Sequence, residues 1–245
     1  MDSGFYAAFT GLVARSQAMD LAATNLANAQ TPGYRSERDF FRSVLLGPDA
    51  FDSQLGMTVN RYGLLGGDLL NLTEGALQQT GNSLDLAIEG QGFFVVQTAN
   101  GPRYTRDGGF HRSPRGLLVT GADEPVLSSA GQQISLPPGE VAVGGDGVVS
   151  VDGGVAGNIA VVTFPPEVSL IPEGTNRYKA PEGAIPTASR DATVHEGAIE
   201  VSNQNVVQGT INLIMMQRQA EMMQRALTVF HTDLNKFATE DLPRV

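Results

Sequence analysis

The chain has 245 residues, 41% of them hydrophobic, with no cysteine and a formal charge of −10. Disulfides and thiolate metal sites are therefore excluded, and the lack of clustered Lys and Arg excludes a nucleic-acid interface. Residues 1–48 hold four basic and four acidic side chains and residues 197–245 hold four and five, so the middle carries −9; near-neutral ends can stack without accumulating repulsion while an acidic body stays solvated.

The first element in chain order is a helix. Asp2 or Ser3 can cap it, alanines at 7, 8, 14, 18, 22 and 23 favour it, and Pro32 ends it. Apolar residues recur at coiled-coil spacing through Phe5, Phe9, Leu12, Met19, Ala23 and Leu26, broken only by Ser16. The stretch is amphipathic and interrupted by Arg15 and Asp20, so it does not read as a cleaved leader. No run in the chain approaches the roughly 18 apolar residues of a membrane span. Thr31-Pro32-Gly33-Tyr34 reads as a turn.

Residues 33–75 read as a connector arm. Arg35 to Leu46 fits a short helix or an extended arm, Gly47-Pro48 breaks it, and Gly56, Gly63, Gly66 and Gly67 make the rest of the arm loop-like.

From 76 to 196 the pattern becomes β. Short β-branched or aromatic runs (Phe93–Thr98, Leu117–Thr120, Val141–Val143, Val148–Val151, Ile159–Phe164) alternate with turn signals at Asn100-Gly101-Pro102, Asp107-Gly108-Gly109, Asp146-Gly147 and Asp152-Gly153-Gly154. Of 29 glycines, 23 lie between 49 and 196, which argues against long helices there. An antiparallel all-β outer domain is expected.

Residues 197–245 read as a second helical segment. Its helix is expected after Asn205, with Gln208 in capping-box position. Its seam runs Val206, Gly209, Leu213, Met216, Ala220, Met223, Leu227, Phe230, Leu234, Phe237. Leu21, Ile211, Ile214, Met215 and Met222 widen the apolar surface beyond the two seams. Lone helices are marginal in water, so the ends are expected to gain order from partners. The expected fold class is α+β: residues 1–32 and 197–245 pairing as an antiparallel coiled coil around a central β domain.

Candidate sites are few. Asn25 and Asn28 suit either contacts to neighbouring subunits or local capping. Gly90 and Gly92 lack the third glycine and following helix of a dinucleotide loop. Asp85 and Glu89 have no evident pocket or partner for carboxylate catalysis. His111, His195 and His231 lack ligand spacing, and the Asp-Gly segments read as hairpin turns rather than calcium loops. No catalytic residue, cofactor site or metal site is expected.

Four ordered segments carry a resemblance. Ala23-Thr24-Asn25-Leu26-Ala27-Asn28-Ala29-Gln30-Thr31-Pro32-Gly33-Tyr34 resembles the N-terminal signature of bacterial flagellar rod and hook proteins, with Thr24 where that family usually has Asn. Residues 81–94, from Gly81-Asn82 to Phe93-Phe94, resemble a second stretch of the family, and Tyr104-Thr105-Arg106-Asp107-Gly108-Gly109-Phe110 a third. Residues 197–207, Gly197-Ala198-Ile199-Glu200-Val201-Ser202-Asn203-Gln204-Asn205-Val206-Val207, resemble the segment that opens its C-terminal helix, with Gln204 replacing the usual Val. The start, length and short β body are more similar to the proximal-rod branch than to the distal-rod one.

This resemblance implies a structural, non-enzymatic subunit of the periplasmic rod of the flagellar basal body. It implies export by the flagellar type III apparatus without a cleaved leader, and helical polymerisation with copies of itself and other rod proteins, without membrane insertion. The assembly interface is then expected at Phe5, Phe9, Leu12, Met19, Asn25, Leu26, Asn28, Leu213, Met216, Met223, Leu227, Phe230, Leu234 and Phe237. A reading of another class is a periplasmic β-domain enzyme, such as a cell-wall glycan hydrolase, with the helices as a stalk. A cleft with paired carboxylates at catalytic separation would favour it.

Overall fold

The structure, a computed structural model, describes residues 2–42 and 64–236. The chain forms two compact units, both discontinuous in sequence: one from residues 1–27, 37–69 and 206–245, the other from 28–36 and 70–205.

Among the described residues the first unit holds two helices, α1 (Asp2–Ala27) and α2 (Val206–Lys236), which pack on one another. α2 starts directly after Asn205, as the sequence suggests. α1 stops five residues before Pro32, earlier than the proline rule predicts. Its end is set locally by a turn in which the Thr31 N–H donates to the Asn28 carbonyl at 3.1 Å and the Thr31 hydroxyl to the Asn28 side chain at 3.2 Å. Residues Glu37–Arg42 are extended and pair with the strand Leu64–Leu70, so the extended alternative holds over these residues and the loop expected around Gly66-Gly67 is a strand. Cross-strand backbone bonding overrides the low β preference of that glycine pair. Leu46 to Gly63, including Gly47-Pro48 and Gly56, lies outside the described residues.

The second unit is β. Its largest sheet has six strands in the order Ile171–Pro172, Arg177–Lys179, Gly101–Thr105, Phe93–Thr98, Val161–Thr163, Thr187–Ala188, with antiparallel pairing throughout. Strands also form at Leu118–Thr120, Val141–Val143 and Val148–Val151, where the β-branched runs lie. The run Phe93-Phe94-Val95-Val96 has no polar face because successive side chains enter different cores. Phe94 and Val96 join Leu86, Ile88, Phe110, Leu118 and Val149 on one side, while Phe93 and Val95 join Tyr104, Leu170 and Tyr178 on the other. Asp152 and Gly153, both at positive φ (50° and 80°), close the hairpin between Val148–Val151 and Gly154–Asn158.

With helices at both ends of the described residues and an antiparallel β body the fold class is α+β. Among the described residues no helix is long and apolar enough to cross a membrane.

Candidate functional site

The most unusual place in the β unit is a buried cluster of charge. Arg35, Arg106 and Glu200 are each no more than 2% exposed, where charged side chains are rarely found unless paired. Each comes from or beside one of the segments singled out in the sequence: Arg35 follows the Pro32-Gly33-Tyr34 turn, Arg106 follows the strand Gly101–Thr105, and Glu200 ends the strand Ala198–Glu200.

Glu200 sits between the two guanidinium groups. Its Oε1 forms an ion pair with Arg35 Nη1 at 2.8 Å and accepts from the Gly75 N–H at 2.7 Å, and its Oε2 accepts from Arg106 Nη1 at 3.1 Å. Arg106 also donates to the carbonyls of Ile88 (2.7 Å) and Gly90 (2.5 Å) and lies over the Phe93 ring at 5.7 Å from its centroid. Arg35 donates to the Thr73 carbonyl, and its own N–H donates to the Tyr178 hydroxyl at 3.0 Å. Burial pulls the Arg106 guanidinium below the ordinary arginine range; Glu200 draws it back up and Arg35 pushes it further down.

The backbone around this cluster is equally tied. The Gly33 N–H donates to the Glu200 carbonyl at 2.8 Å, and the Val201 N–H to the Ala76 carbonyl at 2.9 Å. The Asn203 side chain accepts from the Ser36 N–H at 2.7 Å and donates to the carbonyls of Asn71 (2.8 Å) and Thr73 (2.9 Å). Gly33 has φ +66°, and a Cβ there would stand 2.1 Å from the Asp107 nitrogen. Only glycine fits that crossing. The arrangement fastens four chain segments together; its charged groups are too deeply buried to meet a substrate.

Beside it a cleft of about 240 Å³ is lined by Thr105, Asp107, Thr120, Glu124, Asn176 and Arg177, among others. Burial pushes the Asp107 carboxyl above the ordinary carboxylate value, while hydrogen bonds from the Gly109 N–H (3.0 Å) and the Asn176 amide (2.8 Å) pull it back and Asp85 adds to the rise. The Glu124 carboxylate pairs with Arg177. Both carboxylates in the cleft are thus held by protein partners. Asp85 accepts from the Asn82 amide at 3.0 Å and Glu89 meets His195 across paired strands at 2.6 Å, so these two carboxylates are also engaged separately. His111 faces Asp123 at 3.5 Å. Among the described residues no group of His, Asp and Glu is arranged to hold a metal ion.

In the helical unit the buried stripe of α1 runs Gly11, Ala14, Ala18, Asn25. Among the interface residues expected from the sequence, Leu12, Met19 and Leu26 are half-buried and Phe9 is 50% exposed. The stripe thus lies about one residue, roughly 100° of helix rotation, from the large side chains. Small residues occupy the covered face. On α2, Gly209 and Ala220 are buried and Leu213, Met216 and Met223 half-buried, which places the covered face of that helix on the four-three spacing read in the sequence. Outside these faces Phe9, Val13, Ile211, Ile214, Met215, Met222 and Val229 are 40–62% exposed. The side chains of Phe5, Leu227, Phe230 and Leu234, and Phe237 entirely, lie outside the described residues.

Asn25 is buried and exchanges two hydrogen bonds with the backbone of Glu37, its Nδ2 donating at 2.8 Å and its Oδ1 accepting at 2.9 Å. Its side chain acts as a one-residue strand partner for the returning chain. Asn28 forms the turn with Thr31 that ends α1. Sequence reading missed the Arg35–Glu200–Arg106 cluster altogether. The available signal was the charged residue in or directly after three of the four family-like segments.

Comparison with known proteins agrees with these segments. Residues 5–35 match the family model described as flagella basal body rod protein, and residues 87–151 match that of the flagellar hook protein FlgE/F/G D1 domain. The flagellar basal-body rod protein FlgF of Caulobacter vibrioides is 34% identical over the full length of both chains. FlgF of Escherichia coli is 31% identical over 91% of this chain and 93% of its own. The rod protein FlgG of Bacillus subtilis is 29% identical over the same shares of the two chains, 91% and 93%. On full-length similarity of this degree, with matched segments in both the N-terminal helix and the β body, the chain belongs to the FlgF/FlgG family of flagellar basal-body rod proteins.

Proposed function

We propose that this protein is a structural subunit of the proximal flagellar rod, polymerising through its terminal helices with copies of itself and other rod proteins, and catalysing nothing. The observation that carries this reading is the division of labour on the helices. Small residues fill the covered stripe of α1, while Phe9, Val13, Ile211, Ile214, Met215, Met222 and Val229 stand open to solvent. Each such side chain is already about half covered, and it gains roughly 1 kcal/mol when the rest is covered, which a stack of neighbours supplies. In this reading α1 and α2 pair as a coiled coil, with Leu12, Met19, Leu26, Leu213, Met216 and Met223 at the edges of the seam. The FlgF names of the more similar relatives support the proximal assignment. Passage through the flagellar type III apparatus belongs to the same reading.

The test is electron microscopy of basal bodies carrying a tag in the exposed Asp152-Gly153 turn, together with motility of a strain whose only copy is Met215→Asp. Density for the tag along the proximal rod and loss of motility in the variant, with unchanged melting of the purified protein, are expected. Tag density elsewhere in the cell, or full motility with Met215→Asp, refutes the proposal.

A further inference from the structure

The buried cluster has a feature that packing alone does not demand. Segments 31–36 and 198–203, far apart in the chain, are tied directly to each other within the β unit. The Glu200 carbonyl holds the Gly33 N–H, its carboxylate holds Arg35, and Asn203 holds the Ser36 N–H. Segment 71–75 bridges them through the Thr73 carbonyl, which accepts from both Arg35 and Asn203, and through the Gly75 N–H on Glu200. Removing either end segment leaves the other with buried charge or backbone polar groups unmatched: without Arg35 the Glu200 Oε1 loses its cation, and without Glu200 two guanidinium groups face each other.

We propose that the Arg35–Glu200–Arg106 cluster is a clasp that makes docking of the two ends on the β unit mutually dependent, so that both are fastened or both are released. It is a conformational device within one subunit and holds whether or not the helices polymerise. The predicted intermediate is a chain in which segments 31–36, 71–80 and 197–203 are open while the two apolar cores remain closed. Such sub-global opening is the behaviour expected of a cooperative unit less stable than the core.

Amide hydrogen exchange on full-length protein, followed by NMR, tests this. The variant Arg35→Met alters only the N-terminal side. The informative amides are Val201, bonded to the Ala76 carbonyl, and Thr80, bonded to the Gly197 carbonyl, neither of which touches Arg35. Their protection is expected to fall about tenfold or more together with that of Gly33, while Leu127 and Ile159, bonded to the carbonyls of Val95 and Gly147 in the cores, change by less than about threefold. Asn203→Ala is expected to deprotect Gly33 and Tyr34 in return. Should Arg35→Met fail to fold, Tyr178→Phe, which removes the hydroxyl that accepts from the Arg35 N–H, serves in its place and is expected to give a smaller change of the same pattern. Loss confined to the altered segment, or equal loss at Leu127 and Ile159, overturns the proposal.

Discussion

Replacing Glu200 by Gln probes the cluster most directly. The carboxylate accepts hydrogen bonds from the Gly75 N–H and from Arg106 Nη1 at 3.1 Å, pairs with the Arg35 guanidinium at 2.8 Å, and is 1% exposed. An amide keeps one oxygen, enough for Arg35 and Gly75, but turns an NH₂ towards Arg106 Nη1, donor against donor. It also leaves two buried positive charges without their central anion. At an effective dielectric of about 20, each lost pair at about 4 Å between charge centres is worth about 4 kcal/mol of gross attraction. Part of this is offset because the variant no longer desolvates a carboxylate, which brings the expected loss to the 3–5 kcal/mol typical of breaking a buried pair. For a β unit of this size that corresponds to a fall of roughly 6–20 °C in its melting temperature. Calorimetry with near-ultraviolet circular dichroism measures it, with Glu89→Gln as the control. Glu89 pairs with His195 at the surface, 64% of its side chain exposed, so that change should stay near or below about 1 °C. The Glu200→Gln loss should persist in 1 M salt, where surface pairs are screened. A melting point within 2 °C of wild type, or a loss abolished by salt, refutes the reasoning.

Gly33→Ala should destabilise the β unit by on the order of 3 kcal/mol by chemical denaturation, because the added methyl meets the Asp107 backbone at 2.1 Å and φ is positive; a loss under about 1 kcal/mol would show that this crossing yields. Trypsin should cut at exposed Arg38, Arg218 and Arg225 long before buried Arg35, Arg103 and Arg106, as mass spectrometry of a time course will show, and early cleavage at Arg35 counts against the clasp. Asp107 has a folded value raised above the ordinary 3.8, so the folded protein binds this proton more tightly than the unfolded one. Stability from this group therefore rises as pH falls from neutrality through the folded value and levels off below the unfolded one. The stability of Asp107→Asn relative to wild type should accordingly be greatest at neutral pH and shrink on acidification; a difference independent of pH contradicts the assignment. Ala18→Leu puts a large side chain into the covered stripe of α1, where Ala18 is 1% exposed, and should lower the helix signal in far-ultraviolet circular dichroism by loosening α1 from α2; unchanged helicity would show that the stripe is not closely packed.

Much of this architecture was legible in the sequence because it rests on periodicity and punctuation. The strand at Phe93–Thr98, the turn at Asp152-Gly153 and the start of α2 after Asn205 follow from local preferences that tertiary structure reinforced. The burial of Gly209, Leu213, Met216, Ala220 and Met223 follows the four-three spacing of α2 in the sequence. On α1 the large apolar residues drew attention to one face while Gly11, Ala14 and Ala18 form the covered one. Hydrophobicity marks what prefers to leave water, whereas close helix contact selects what is small enough to fit. The end of α1 was misplaced because Asn28 and Thr31 turn the chain before Pro32 acts, and the strand at Leu64–Leu70 was hidden because pairing, not propensity, holds Gly66-Gly67 extended. The charge cluster was illegible for a deeper reason. Arg35, Arg106 and Glu200 lie far apart in the chain, and no local window contains more than one of them.

Ser36 and Asn203, joined by a single hydrogen bond, are 167 positions apart. A growing polypeptide cannot make that link until nearly all of it has left the ribosome. Closing so long a loop is slow compared with forming a hairpin. The link between the two segments is therefore expected to form after the local hairpins of the middle. The last knot to be tied is the one that needs both ends of the thread.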